Sequence, residues 1–200
     1  MKIIVVGSTG TIGRQVVKLL LRGHEIVKVA LRDADFQVDI KSKASIEKLF
    51  REVRPFDAVV SAAGLAKFGT LDELSEEDYM FGLGDKLMGQ VNIVRIGRNY
   101  INDKGSFTLT SGVLSQNPIP GSSSVSMVNA GVEGFVRAAA LEMRNGVRLN
   151  AVSPVFVKET LEAMGMDSSK GMPAEKVALA YKESVEGLRN GEIIDVRDFA

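Results

Sequence analysis

The chain has 200 residues, 45% hydrophobic and 25% charged, the ordinary balance of a globular protein with a substantial core. Lys+Arg and Asp+Glu are both 25, so the formal net charge is zero and neither nucleic acid nor an acidic membrane is expected as a partner. With no cysteine and one histidine, His24, disulfides and thiolate metal sites are excluded and a His-based zinc site or a Ser-His-Asp triad has little to build from. Ile3 to Val6 is a short apolar run rich in β-branched residues, which suits a strand covered on both faces. The run is too short for a secretory signal or a bilayer span, so a cytoplasmic location is expected. Gly7-Ser8-Thr9-Gly10 breaks it, and a helix follows with Ile12, Val16, Leu19 and Leu20 on one side. Gly23 ends that helix, His24 reads as an exposed turn residue, and Glu25 to Leu31 reads as a second strand.

Ile46, Leu49, Phe50 and Val53 recur at helical spacing from Ser45 until Pro55 stops the pattern. Asp57-Ala-Val-Val is a buried strand running into Ser61-Ala62-Ala63-Gly64. Ser75 is the expected N-cap of a helix opening Glu76-Glu77-Asp78. A long helix is predicted from about Gly84 to Asn102, with Leu87, Val91, Val94 and Ile101 among its apolar positions. A strand at Ser106–Thr110, a Ser/Pro/Gly-rich loop over Ser111–Ser124, a helix from about Val125 to Arg144 and a strand at Val147–Val152 follow. Pro154 opens an irregular stretch to about Gly171, Pro173 fits a first helical turn, and Ile193–Val196 is the last strand. No repeat or linker interrupts the chain, so one domain over residues 1–200 is expected. The alternation of strands and helices predicts a doubly wound parallel α/β sheet.

Gly7-x-x-Gly10-x-x-Gly13 lies between the first strand and the first helix. There a backbone without Cβ lets a pyrophosphate approach the helix N-terminus, where free N–H groups and the helix dipole stabilise an anion. The alternative is a tight turn that binds nothing. The strand–turn–helix setting near the N-terminus favours the first reading.

Together with this loop, Asp39-Ile40, Asp57-Ala-Val-Val-Ser-Ala-Ala-Gly64, Gly105-Ser-Phe-Thr-Leu-Thr-Ser-Gly112, Val132-Glu133-Gly134 with Ala139-Ala140-Leu141-Glu142, and Arg148-Leu-Asn-Ala-Val-Ser-Pro154 give a pattern over nearly the whole chain that resembles the short-chain dehydrogenase/reductase family. The resemblance implies a Rossmann-type three-layer sandwich with a mostly parallel seven-stranded sheet and a bound nicotinamide dinucleotide. It puts Gly7, Thr9, Ile12 and Gly13 in the phosphate loop, although the family's second glycine falls at Thr11. Asp39 and Ile40 match the adenine-holding pair. Ala62, Ala63 and Gly64 match a segment beside the adenosine ribose that usually carries two asparagines, and Pro154 and Val157 match the stretch near the nicotinamide. An acid usually ends the second strand and binds the ribose 2′-OH; here Leu31 takes its place, followed by Arg32, which suits a 2′-phosphate. NADP(H) is therefore expected over NAD(H), against the opposing signal of Asp33 and Asp35, and Arg32 as an ordinary solvated charge is the alternative.

The family's chemistry uses Tyr-x-x-x-Lys on one helix, a serine at a strand end and a supporting asparagine. Alignment on Val132-Glu133-Gly134 puts Val125 at the tyrosine and Asn129 at the lysine; Gly112 falls at the serine with Ser111 adjacent, and Lys86 falls at the asparagine. A valine moves no proton, and general acid–base catalysis is worth about 10²–10⁴-fold. Two readings stay open. In the favoured one the chain is an active oxidoreductase acting on a small carbonyl or alcohol: Lys86 and Asn129 exchange roles, Ser111 polarises the carbonyl, Asn129 also binds the cofactor ribose, and Lys86 or water supplies the proton. In the other it binds NADP(H) without turnover, as a sensor or interaction partner. The bland alternatives are a solvated helix lysine and a turn serine. Met164, Met166 and Met172 fall in the family's substrate lid, and a homo-oligomer, dimer or tetramer, is expected by analogy.

Overall fold

A computed structural model describes residues 1–199. Seven strands form one sheet, all neighbours parallel: β1 (Lys2–Val6), β2 (Glu25–Ala30), β3 (Phe36–Gln37), β4 (Phe56–Ser61), β5 (Ile101–Thr110), β6 (Arg148–Ser153) and β7 (Ile193–Asp195). Their order is β3-β2-β1-β4-β5-β6-β7, so the chain reverses its winding direction between β1 and β4. The helices are α1 (Thr11–Leu20), α2 (Lys43–Val53), α3 (Glu76–Gly82), α4 (Met88–Gly97), α5 (Ser123–Ala139), α6 (Lys158–Ala163) and α7 (Ala174–Glu186). This is the three-layer doubly wound sandwich expected from the sequence.

The continuous apolar run of β1 is explained by the two layers it separates. Ile4 and Val6 face a core built with α2, α4 and α5, while Ile3 and Val5 face a second core built with α1 and α7. All four side chains are buried, so neither face of the strand tolerates a polar residue. The apolar stripe of α2 (Ile46, Leu49, Phe50, Val53) fills the first core, and Tyr181 of α7, fully buried, fills the second.

Several elements differ from the sequence expectation. Two-residue β3 pairs Val29–Phe36 and Ala30–Gln37 at the sheet edge and is too short to leave a period. The long helix expected over 84–102 is a π-helical turn at Leu83–Leu87 followed by α4, and it stops at Gly97. A Cβ on Gly97 would come within 2.9 Å of Phe107 and 3.0 Å of Phe50, so the glycine marks close packing at the helix end. Ile101 belongs to β5, opposite Phe56, although its spacing from Val94 continues the helical rhythm. α6 lies inside the stretch read as irregular, α2 begins at Lys43 behind its cap Ser42 rather than at Ser45, and Pro173 precedes α7 as its N-cap. His24 is not an exposed turn residue: its side chain is 15% exposed and its Nε2 lies 3.0 Å from Glu186 Oε1. No helix among the described residues is long and apolar enough to cross a membrane.

Candidate active site

The crevice opens where β1 and β4 end. Beyond Val6, Gly7 turns with φ +83°, its N–H donating to Val29 O at 2.8 Å. A Cβ there would sit 2.6 Å from Ala62 O, so the glycine lets the phosphate loop and the Ala62–Gly64 segment lie against each other. Gly13 is tighter still, since its Cβ would lie 2.0 Å from Gly7 O. α1 begins at Thr11 behind Gly10, which offers no side-chain cap. The first-turn amides of Thr11, Ile12 and Gly13 therefore face outward as donors, with the positive end of the helix dipole behind them.

Beside this loop is a cavity of about 370 Å³, lined on one side by Gly7, Ala30, Leu31, Asp39 and Ile40 and on the other by Ala63, Gly64 and Leu65. Its size is that of a small-ligand pocket. The crevice thus joins outward-facing amide donors at one end to a largely apolar slot. Lys41, Phe81 and Asp85 also line it, and no linear motif flagged them. Asp39 anchors its own loop by accepting from the Lys41 N–H at 3.0 Å. Arg32 is exposed beside Leu31 and takes part in no ion pair among the described residues. Asp35 turns away from it, accepting from Lys28 N at 3.0 Å.

Against Gly64, which lines the crevice, three elements meet. The π-helical turn carries Lys86, whose Cα would lie 2.7 Å from a Cβ on Gly64. Gly64 (φ +112°) admits this approach. Lys86 Nζ donates to Asn129 Oδ1 of α5 at 2.8 Å and to Ser111 O, at the end of β5, at 3.0 Å. Lys86 is half-buried as a residue, and desolvation of its ammonium where it meets these two acceptors pulls its pKa down from 10.5 to about 8. Lys86 and Asn129 are therefore brought into direct contact across 43 residues of sequence, and Lys86 is no solvated helix lysine.

The remaining expected residues lie as follows. Asn129 is 2% exposed, with its amide turned to Lys86 and, more weakly, to Gly112 O at 3.4 Å. That orientation commits the amide to the protein rather than holding it out for a ribose. Ser111 is a correction: its hydroxyl does not face the crevice. It donates to Glu133 Oε1 at 3.2 Å, and only its carbonyl reaches Lys86. Val125 is buried on α5 one turn before Asn129. Pro154 is buried after β6 with its carbonyl accepting from Val113 N, and Val157 caps α6 and bridges to Met172. Met164 and Met166 are exposed beyond α6. Tyr79, distant in sequence, hydrogen-bonds Ser123 at the start of α5 (2.7 Å), two residues before Val125.

Residues 14–195 match the family described as Enoyl-(Acyl carrier protein) reductase. A hydroxynaphthalene reductase from Aspergillus fumigatus is 32% identical over 158 residues, 72% of this chain and 57% of that protein. The chain spans about three fifths of the length of the curated relatives it matches first. Among solved structures, the protein lin1944 from Listeria innocua superposes with a TM-score of 0.94 at 39% identity, covering 98% of this chain and 99% of that one. A small-chain dehydrogenase in complex with NADPH superposes with a TM-score of 0.87 at 25% identity, covering 98% and 95%.

Proposed function

The chain belongs to this reductase family within the short-chain dehydrogenase/reductase superfamily of Rossmann-fold oxidoreductases, and from that premise we propose that it is an NADP(H)-dependent reductase of a small carbonyl compound, one binding unit over residues 1–200, in which Lys86 handles the proton. The observation that carries the reading is the seat of Lys86 against Gly64 of the crevice wall: an ammonium with a pKa of about 8, held by Asn129 Oδ1 and Ser111 O. A nicotinamide dinucleotide, when bound, supplies the hydride. Thr9, Ile12 and Gly13 bind its diphosphate through backbone N–H groups, Gly7, whose own N–H is held by Val29 O, makes the turn that lets it approach, and Asp39, Ile40, Ala62, Ala63 and Gly64 form the slot for the adenosine. Arg32 receives the 2′-phosphate, with no acid at Leu31 to repel it. Pro154 and Val157 shape the wall after β6. Lys86 Nζ carries three protons and uses two on the protein, which leaves one to give to a substrate oxygen as negative charge develops there. A pKa near 8 suits that transfer, since an unperturbed lysine would hold its proton too firmly. The residue at the family's tyrosine position, Val125, has no part in it.

That valine, together with the inward Ser111 hydroxyl, favours a second reading in which the chain binds NADP(H) and turns nothing over. One experiment separates the two: NADPH titration by nicotinamide fluorescence, then NADPH oxidation with a panel of small aldehydes and ketones. Binding with turnover that Lys86→Ala removes supports the reductase. Binding without turnover supports the sensor, and absence of binding ends both.

A further inference from the structure

Glu133 is a carboxylate on α5, only 3% exposed, that neither the cofactor crevice nor the proton transfer uses. It lies one helical turn after Asn129, on the same face. Its Oε1 accepts from Ser111 Oγ at 3.2 Å and, closely, from Ser115 Oγ; its Oε2 accepts from Arg137 Nη2 at 3.3 Å. Ser111 and Ser115 are the two ends of the turn that follows β5. Ser115 Oγ also reaches Gly112 O at 3.1 Å, and Ser115 N donates to the same carbonyl. Asn129 grips that turn from the other side through Gly112 O, where a Cβ on Gly112 would lie 2.8 Å from Asn129 Nδ2.

A buried carboxylate needs this many donors, but the donors chosen are informative. One oxygen ties both ends of a five-residue turn to the helix that carries Asn129. The turn's first two residues, Ser111 and Gly112, carry the carbonyls that face Lys86 and Asn129. We propose that Glu133 is a positioning residue: by accepting from Ser111 and Ser115 it fixes the Ser111 and Gly112 carbonyls against Lys86 and Asn129. The inference rests on the reading of Lys86 as the proton-handling group. The other charged groups on elements packed against the π-helical turn are occupied or exposed: Asp85 accepts from Leu65 N at 2.6 Å, Asp78 is bound to Ser75 and Lys67, Arg137 pairs with Glu133, and Glu76 and Glu77 of α3 and Arg95 of α4 are exposed.

The test is a side-chain NMR titration of Lys86 in the whole chain, using ¹⁵N-labelled lysine and assigning the resonance by its loss in Lys86→Met. The wild-type midpoint is expected at about 8. Glu133→Gln keeps an oxygen to accept both hydroxyls and leaves the midpoint in place. Glu133→Ala frees the turn, admits water to the ammonium and moves the midpoint up toward 10.5. Ser115→Ala, which removes one tie, moves it the same way by less, and stands in if Glu133→Ala does not fold. A folded Glu133→Ala with a lower melting temperature and an unmoved midpoint means a purely structural glutamate and overturns the proposal. So does an unmoved midpoint in Ser115→Ala when the glutamate variant is lost. A wild-type midpoint at 10.5 overturns it together with the role given to Lys86. Absence of NADPH turnover in the wild type sinks the reductase reading alone, because the midpoint is read without activity.

Discussion

Replacing Lys86 with methionine keeps the apolar stem and removes the charge, and the effect on stability is set by pH. Holding the ammonium's pKa at about 8 in the fold, against 10.5 in the unfolded chain, costs about 3 kcal/mol at neutral pH, at 1.36 kcal/mol per pKa unit. Between those two values the unfolded chain binds more protons than the fold, so stability rises with pH across this window and the cost is fully present below it. Lys86→Met escapes the cost but strands two buried acceptors, Asn129 Oδ1 and Ser111 O, at about 1–3 kcal/mol each. Near pH 7 the terms roughly cancel, and the variant should match the wild type within about 2 kcal/mol. Toward about pH 10.5 the wild type recovers its cost and should gain about 3 kcal/mol over the variant. Tyr181, whose buried hydroxyl has its pKa held well above the usual value, loses stability at high pH in both proteins, so the difference between them isolates Lys86. Urea unfolding at a series of pH values measures it. Parallel curves for the two proteins across the window would refute a buried, perturbed Lys86.

Carbonyl reduction with NADPH should fall as pH rises through about 8, because the proton donor is the ammonium and it is lost there; a stopped-time absorbance profile checks this. Gly13→Ala forces a Cβ to 2.0 Å from Gly7 O, so the loop must shift; it should cost at least about 1–3 kcal/mol in urea unfolding and abolish NADPH binding. Arg32→Glu replaces a charge-assisted contact worth about 1.5–3 kcal/mol with a repulsion, so the NADPH-to-NADH affinity ratio should fall by about tenfold or more in fluorescence titrations, with NADH binding kept.

What the sequence disclosed and what it withheld divide along physical lines. Ile3–Val6, the α2 stripe and the Gly7/Gly10/Gly13 loop were legible because burial on both faces, a helical period and a backbone without Cβ each leave a local signature. Elements whose cause is tertiary left none. Two-residue β3 exists only because β2 is beside it, and Ile101 is a strand residue only because Phe56 is opposite. The π-helical turn at Leu83–Leu87 sits where Gly64 presses on Lys86, a contact between residues 22 apart. The site followed the same rule. The family resemblance marked Lys86, Asn129 and Ser111 as positions, but not that Ser111 would present its carbonyl rather than its hydroxyl. That choice is made by Glu133, which the motif Val132-Glu133-Gly134 marks in the sequence as an alignment anchor but not as a partner of Ser111. Lys41 reaches the crevice from one segment and Phe81 and Asp85 from another, the end of α3 and the π-helical turn, which no single motif spans.

Lys86 and Asn129 meet at 2.8 Å, a cation with a neutral acceptor. The proposed alignment puts the family's asparagine at Lys86 and its lysine at Asn129, and on that proposal the two residues exchange roles as a pair, with the charge on the π-helical turn rather than on α5. Each single change breaks it. Lys86→Asn leaves two amides and no cation, and Asn129→Lys sets two ammonium groups against each other. The double exchange Lys86→Asn with Asn129→Lys restores one of each. A double-mutant cycle by urea unfolding should therefore show the double variant more stable than the singles sum to, by about 0.5–3 kcal/mol, the range for residues in direct contact. Simple additivity would mean that the two side chains do not act as a pair, and with it would go the view that Lys86 replaces the lysine expected on α5.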